Sequence, residues 1–385
     1  MTKITPKVLA RHLLLFIATF FTVTLTGALV YAPGPMPEPV EDTFAWYWAF
    51  FSQGFYFSIP FLGILLAHEM GHYVVSRLRK VDTSLPYFLP FVPAILGTLG
   101  AVIVMRGQRN TRKDYFDIGI AGPLAGWVLA IGVMWYGYAT LPPAEHIFEI
   151  HPEYEAYGTD YADYVFDPEV MLADTALADS LVGQIYFGTN LTMKFFEAVV
   201  ADPERIPPQR EIMHFPFIMA GFWALFFTAL NLLPIGQLDG GHILYGLVGA
   251  KRQRIVSATI FLGFIMYAGL GLINPYSPPM VLAWQLPGYG FFLFFIFRGL
   301  EQSIPTRIMT ALAVLTFQFG FAFFFPEVTG FNGWLVFAFL LGRVVGVYHP
   351  VAPIDVPLDR NRQILGWIAL IIFILSFSPE PAWMP

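Results

Sequence analysis

The sequence predicts an all-α polytopic membrane protein with about eight transmembrane helices and a re-entrant element that resembles a β-hairpin. The first observation is composition, since 56% of the 385 residues are hydrophobic and only 12% are charged. Mean hydropathy is positive, which is atypical of a water-soluble domain. The second observation is the recurrence of apolar stretches about 20 residues long, the length of a membrane-spanning helix.

The apolar stretches are distributed along the whole chain. They cover residues 12–32, 47–76, 117–139, 213–235, 255–273, 280–298, 307–326, 331–347 and 363–378. The first could be a signal peptide, but its apolar run of about 20 residues exceeds the usual 7 to 15. We therefore expect an uncleaved N-terminal anchor.

Charge is segregated along the chain. Residues 140–212 hold 14 Asp and Glu but only three Lys and Arg. Basic residues instead cluster before the first span, between the second and third, and after the fourth, which predicts a cytoplasmic N-terminus. The acidic segment 140–212 then faces the opposite side. Because no organelle transit peptide is recognised, we expect a bacterial inner membrane.

Three predicted regions follow from these boundaries. Residues 1–46 form an anchor helix and an acidic loop, residues 47–250 a catalytic transmembrane core, and residues 251–385 a set of C-terminal helices.

Two histidines and a glutamate lie inside one of the apolar stretches. His68 and His72 are four residues apart, so both project from one face of a helix and can share a metal ion, while Glu69 can activate a bound water. The chain has no cysteine, so a metal must be held by nitrogen and oxygen ligands. The alternative is a pair of buried histidines that hydrogen-bond to neighbours.

A catalytic zinc normally needs a third protein ligand, and the best candidate is distant in sequence. Asp239 lies in NLLPIGQLDGGH, residues 231–242, where proline and glycines let the backbone leave helical geometry. His242 is a weaker candidate, or a partner that orients Asp239. The alternative is that Asp239 caps a helix over 241–249.

Two further segments have recognisable features. Residues 85–107 are apolar but rich in Pro and Gly, and their AVIVM portion favours extended structure, which predicts a re-entrant hairpin that can pair with a substrate strand. The alternative is an interfacial loop. GIAGPLAGW, residues 119–127, places glycines where helices can approach closely.

HEMGH and NLLPIGQLDGG together resemble the signature of the site-2 protease family of intramembrane zinc metalloproteases, which is HExxH in one helix and NxxPxxxLDG in a later one. GTLGAVI, FDIGIAGPLAG and the C-terminal segment 349–379 are similar to the bacterial and plastid branch. The resemblance implies one Zn²⁺ held by His68, His72 and Asp239, with Glu69 as general base. It also implies that Asn231 acts near the scissile carbonyl, although an interhelical hydrogen bond would explain this amide equally well.

The predicted function is hydrolysis of peptide bonds in or near transmembrane segments of other proteins. The expected partners are transmembrane substrates and the lipid bilayer, with no nucleic acid. No PDZ-like insertion is recognised, so gating by such a module is not expected. The alternative is a metal or proton transporter that uses the same ionisable residues, but such a path usually distributes polar groups over several helices and two repeats.

Overall fold

The computed structural model describes residues 5–92, 95–106, 111–167, 185–300 and 303–383, and within them the chain is mostly helical. The α-helices of the described residues are α1 (Pro6–Val30), α2 (Thr43–Gln53), α3 (Phe55–Leu78), α4 (Arg112–Ala139), α5 (Ile147–Ile150), α6 (Tyr161–Val165), α7 (Leu191–Val199), α8 (Pro216–Leu232), α9 (Asp239–Ala268), α10 (Pro279–Ile296), α11 (Ile304–Phe324), α12 (Trp334–Leu340) and α13 (Arg360–Ser376). The strands are β1 (Tyr87–Pro90), β2 (Thr98–Val102), β3 (Tyr186–Phe187) and β4 (Ala382–Trp383).

The helices divide between two compact units. The first unit comprises residues 1–108, 121–229 and 372–385, and the second comprises residues 109–120 and 230–371.

Among the described residues, fewer helices can span a membrane than the sequence predicts. Four are long and apolar enough, at 6–30, 112–139, 279–299 and 304–324, and α2 with α3 forms a fifth candidate bent by 45°. Several of the other predicted spans are too short as helices, because α8 and α13 have 17 residues each. The chain is a multi-pass membrane protein by these helices, and the prediction of about eight spans is not confirmed.

A two-stranded antiparallel sheet lies within the segment predicted to form a hairpin. β1 pairs with β2 through Tyr87 with Val102 and Phe88 with Ala101. The turn is held to α1, because the Thr22 hydroxyl donates to the Gly97 carbonyl at 2.7 Å. Gly97 has a φ of 71°, and a Cβ there would lie 2.5 Å from the Thr22 carbonyl oxygen, so only glycine fits. Residues 93–94 and 107 of the predicted segment lie outside the described residues.

The acidic segment contains a small core of its own. Ile147, Tyr154, Tyr161 and Val165 are buried together, and Tyr154 and Tyr161 stack with ring centroids 5.0 Å apart. The segment is therefore at least partly folded rather than a fully solvated loop. Its residues 168–184 lie outside the described residues.

One buried hydrogen-bond network joins three parts of the first unit. The Tyr31 hydroxyl, just after α1, accepts from the Trp223 indole N–H of α8 at 2.8 Å and donates to the Ile95 carbonyl at 3.0 Å. The network therefore ties the hairpin turn to two helices.

Replacement of Tyr31 by Phe removes this hydroxyl and leaves a buried indole N–H and a carbonyl unpaired. We expect the free energy of unfolding in detergent to fall by about 1–3 kcal/mol. Tyr47→Phe, at an exposed ring of α2, is the matched control and should leave stability unchanged. Equal stability of the two variants would show that the Tyr31 network does not hold the hairpin.

Candidate metal and catalytic site

His68, Glu69 and His72 lie together in α3, and each is only 5% exposed. The Nε2 atoms of the two histidines are 3.1 Å apart, and their rings meet edge to face. Two imidazole nitrogens that share a tetrahedral zinc ion, each at 2.0–2.1 Å, are about 3.3 Å apart. The pair therefore fits a metal, and the first of the two motifs is preorganised within one helix.

Glycines of α3 and α4 make room for the imidazoles. A Cβ on Gly122 would lie 2.1 Å from His72 Nε2, and one on Gly126 would lie 3.1 Å from His68 Cβ. A Cβ on Gly71 would lie 2.5 Å from the Ala121 carbonyl oxygen. The close helix approach predicted from GIAGPLAGW is confirmed at these positions, and Gly122 forms a cradle that any side chain would fill.

The second motif lies in the second unit, at the break between α8 and α9. Asn231 is in the last turn of α8, and Asp239 is the first residue of α9. Leu238, not Asp239, occupies the N-cap position, and no side-chain capping hydrogen bond is made there. The alternative that Asp239 serves as N-cap of a helix over 241–249 is therefore wrong. Asp239 is half-buried.

The break depends on its glycines. Gly236 has a φ of 60°, and a Cβ there would lie 1.8 Å from the Gly346 carbonyl oxygen. A Cβ on Gly240 would lie 1.9 Å from the Leu232 carbonyl oxygen. Because no other residue fits this path, the predicted departure from helical geometry is confirmed.

His242 has a partner that sequence reasoning missed. His349 Nδ1 contacts the carbonyl oxygen of Pro350, which can only accept, so this nitrogen carries the proton. His349 Nε2 then accepts from His242 Nδ1 at 2.6 Å, which leaves the lone pair of His242 on Nε2. His349 also stacks on Tyr245 at 4.3 Å. No local signal joins residues 242 and 349, although both lie in segments that carry the family resemblance.

Comparison with known proteins now adds to this geometry. Residues 56–273, which contain both motifs, match peptidase family M50. The chain belongs to this family.

Similar curated proteins are plant proteins described as chloroplastic. The probable zinc metalloprotease EGY1 of Arabidopsis thaliana is 31% identical over 227 residues, covering 58% of this chain and 34% of the relative. EGY1 of Oryza sativa subsp. japonica is 30% identical over 225 residues, covering 58% and 32%. The probable zinc metalloprotease EGY2 of Oryza sativa subsp. indica is 26% identical over 214 residues, covering 54% and 31%.

This M50 chain spans about a third of the length of the curated relatives that it matches. No solved structure matches it. The expectation of a bacterial inner membrane gains no support from relatives described as chloroplastic.

The Gly122 cradle gives a direct test of the histidine pair. In Gly122→Ala, the new methyl would collide with His72 Nε2, so we expect Zn²⁺ affinity to fall at least about 10-fold by displacement of the imidazole. The measurement is zinc retained by purified protein after dialysis against a graded chelator. Gly132→Ala is the matched control on the same helix, because a Cβ there meets nothing within 4 Å. Identical zinc retention by the two variants would contradict the expectation that His72 binds zinc.

Proposed function

We propose that the protein is a zinc metalloprotease that hydrolyses peptide bonds in or near transmembrane segments of substrate proteins. The observation that carries the proposal is the buried pair of imidazole nitrogens in α3, 3.1 Å apart and adjacent in sequence to a buried glutamate. Membership of peptidase family M50 and the relatives described as zinc metalloproteases support the same reaction.

The proposed ligands are His68, His72 and Asp239. Two neutral imidazoles and one carboxylate form a donor set that leaves a fourth position for water, as a catalytic zinc requires. Asp239 is supported by its place at the start of α9, where the glycine-dependent break turns the backbone sharply after α8.

A zinc ion in such a site supplies a Lewis acid and lowers the pKa of a coordinated water toward about 7. The task of Glu69 is proton transfer. Its carboxylate removes a proton from the attacking water and returns one to the departing amine. Glu69 is buried in an apolar helix, so few other water molecules can hydrogen-bond to its carboxylate in place of the attacking water.

Asn231 is the proposed hydrogen-bond donor to the oxyanion that develops on the scissile carbonyl. Asn231 lies in the last turn of α8, and the glycine-dependent break begins within two residues of it. A side-chain amide in such a position stabilises developing negative charge without reorganisation.

The β1–β2 hairpin is the proposed re-entrant element that receives the substrate. A transmembrane helix hides its peptide bonds in internal hydrogen bonds, so cleavage requires local unwinding and replacement partners. A two-stranded sheet leaves strand edges that can supply them. Leu99, Val102 and Val104 expose apolar side chains on and beside β2, which suits an extended apolar substrate.

The proposed orientation places the N-terminus in the cytoplasm. Arg77 lies in the last turn of the HExxH helix, Arg79 and Lys80 follow it directly, and basic residues favour the cytoplasmic face. The acidic segment 140–212 then lies on the opposite face.

Glu69→Gln tests the catalytic assignment. We expect cleavage of a single-span model substrate by purified protein to fall about 10²–10⁴-fold, because the amide cannot accept the proton of water. Zinc content should be unchanged, since Glu69 is not a proposed ligand. Glu41→Gln, at an exposed loop position, is the control for a glutamate outside the site. Cleavage by Glu69→Gln at the rate of this control would refute the mechanism.

Asp239→Ala tests the third ligand. Loss of one of three ligands should weaken zinc binding by at least about 100-fold and remove activity together with the metal. The measurement is a competition titration against a zinc chelator, read as metal per chain. Asp114→Ala, near the start of α4, is the control for loss of an aspartate in the same unit. Full zinc affinity in Asp239→Ala would require a different third ligand.

A further inference from the structure

A second cluster of metal-ligating side chains lies in the first unit, outside the two sequence motifs. His151 follows α5, while Glu211 and His214 lie just before α8. One ligand atom from each residue can be chosen so that all three atoms lie within 4.8 Å of one another. The cluster joins the two ends of the acidic segment.

The distances suit a single ion. His151 Nε2 and His214 Nε2 are 3.3 Å apart, and Glu211 Oε2 is 3.8 Å from the first and 3.5 Å from the second. Ligand atoms around a tetrahedral zinc ion are separated by about 3.3 Å, so a slight contraction would bring all three into bonding range.

Glu211 places a buried carboxylate in the cluster. Its side chain is only 2% exposed, and its Oε1 has no hydrogen-bond partner among the described residues. A buried, unsatisfied carboxylate oxygen is costly unless a cation neutralises it.

The two imidazoles also make contacts outside the cluster. His214 is half-buried and makes a hydrogen bond with the backbone of Ala32. His151 Nδ1 contacts Glu153 Oε1 at 3.2 Å, and its ring stacks on the buried Tyr154. Contacts of this kind on the far side of a ligating imidazole fix its tautomer and orientation at metal sites.

A route to the cluster is also present. A cavity of about 240 Å³ lies beside His214 and is lined by Pro33, Tyr56, His146 and Phe217 among others. This volume is large enough for a hydrated ion to reach His214.

We propose that His151, Glu211 and His214 form a second metal site, which binds a divalent first-row transition ion such as Zn²⁺. Imidazole and carboxylate donors without thiolate suit this class of ion. The site closes the acidic segment by joining residue 151 to residues 211–214, so the bound ion has a structural role in this segment. None of its ligands belongs to the proposed catalytic machinery.

The test removes two proposed ligands of the catalytic zinc, so that zinc retained by the protein reports on the second site. Full-length protein carrying His68→Asn and His72→Asn is purified in detergent, stripped with chelator and loaded with Zn²⁺, and the metal per chain is measured after desalting. We expect one tightly held ion per chain. Addition of His214→Asn should weaken binding by about 100-fold or more and abolish retention. His12→Asn, at a buried histidine of α1 that belongs to neither the cluster nor the cavity, is the matched control and should retain the ion.

The outcomes separate the second site from the proposed protease. Loss of zinc from the His68→Asn, His72→Asn background, or equal retention by the His214→Asn and His12→Asn forms, would overturn the proposal and leave the catalytic assignment untouched. Glu211→Gln, which preserves side-chain shape, should also lose the ion. If His214→Asn does not fold, Co²⁺ titration of the background protein decides, because the intense visible absorption of tetrahedral Co²⁺ is expected and its absence would refute the site.

Discussion

The constraint on which the site depends is the cost of burying two imidazoles and a carboxylate inside an apolar helix. Such groups cost several kcal/mol unless they have partners. In α3 the spacing of four residues brings the Nε2 atoms of the two histidines to 3.1 Å from each other. Gly122 and Gly126 of α4 leave space for the two rings. The chain thus gives up side-chain packing at two positions and leaves space for two closely spaced imidazole nitrogens. Local spacing explains the pair, and the glycines explain why the pair has room.

The second motif depends on the backbone conformation of the break between α8 and α9. Pro234 cannot continue α8, and Gly236 takes a left-handed conformation that other residues avoid. Gly240 then lets the start of α9 pass within contact of the Leu232 carbonyl. The result is a rigid turn that fixes Asn231 before it and Asp239 after it. A flexible loop would place neither group with the precision that a metal site or an oxyanion contact needs.

Features encoded by short-range spacing could be predicted from sequence, and features created by distant contacts could not. The helix with His68 and His72, the strands inside 85–107 and the break at 231–242 each depend on residues within a few turns of one another. The prediction of about eight spans is not confirmed, because apolar composition does not reveal where proline and glycine end a helix, as after Leu232. His349 was missed because its contact with His242 bridges 107 positions. The cluster of His151, Glu211 and His214 was missed for the same reason, since an acidic segment without a motif gives no indication that its two ends meet.

Asp239 is the proposed third zinc ligand, together with His68 and His72. Zinc X-ray absorption on an Asp239→Cys variant tests it most directly, because the natural chain has no cysteine and any sulfur ligand must come from position 239. We expect a Zn–S distance of about 2.3 Å together with imidazole nitrogens at about 2.0–2.1 Å. A zinc-loaded variant whose spectrum contains only nitrogen and oxygen ligands would contradict it.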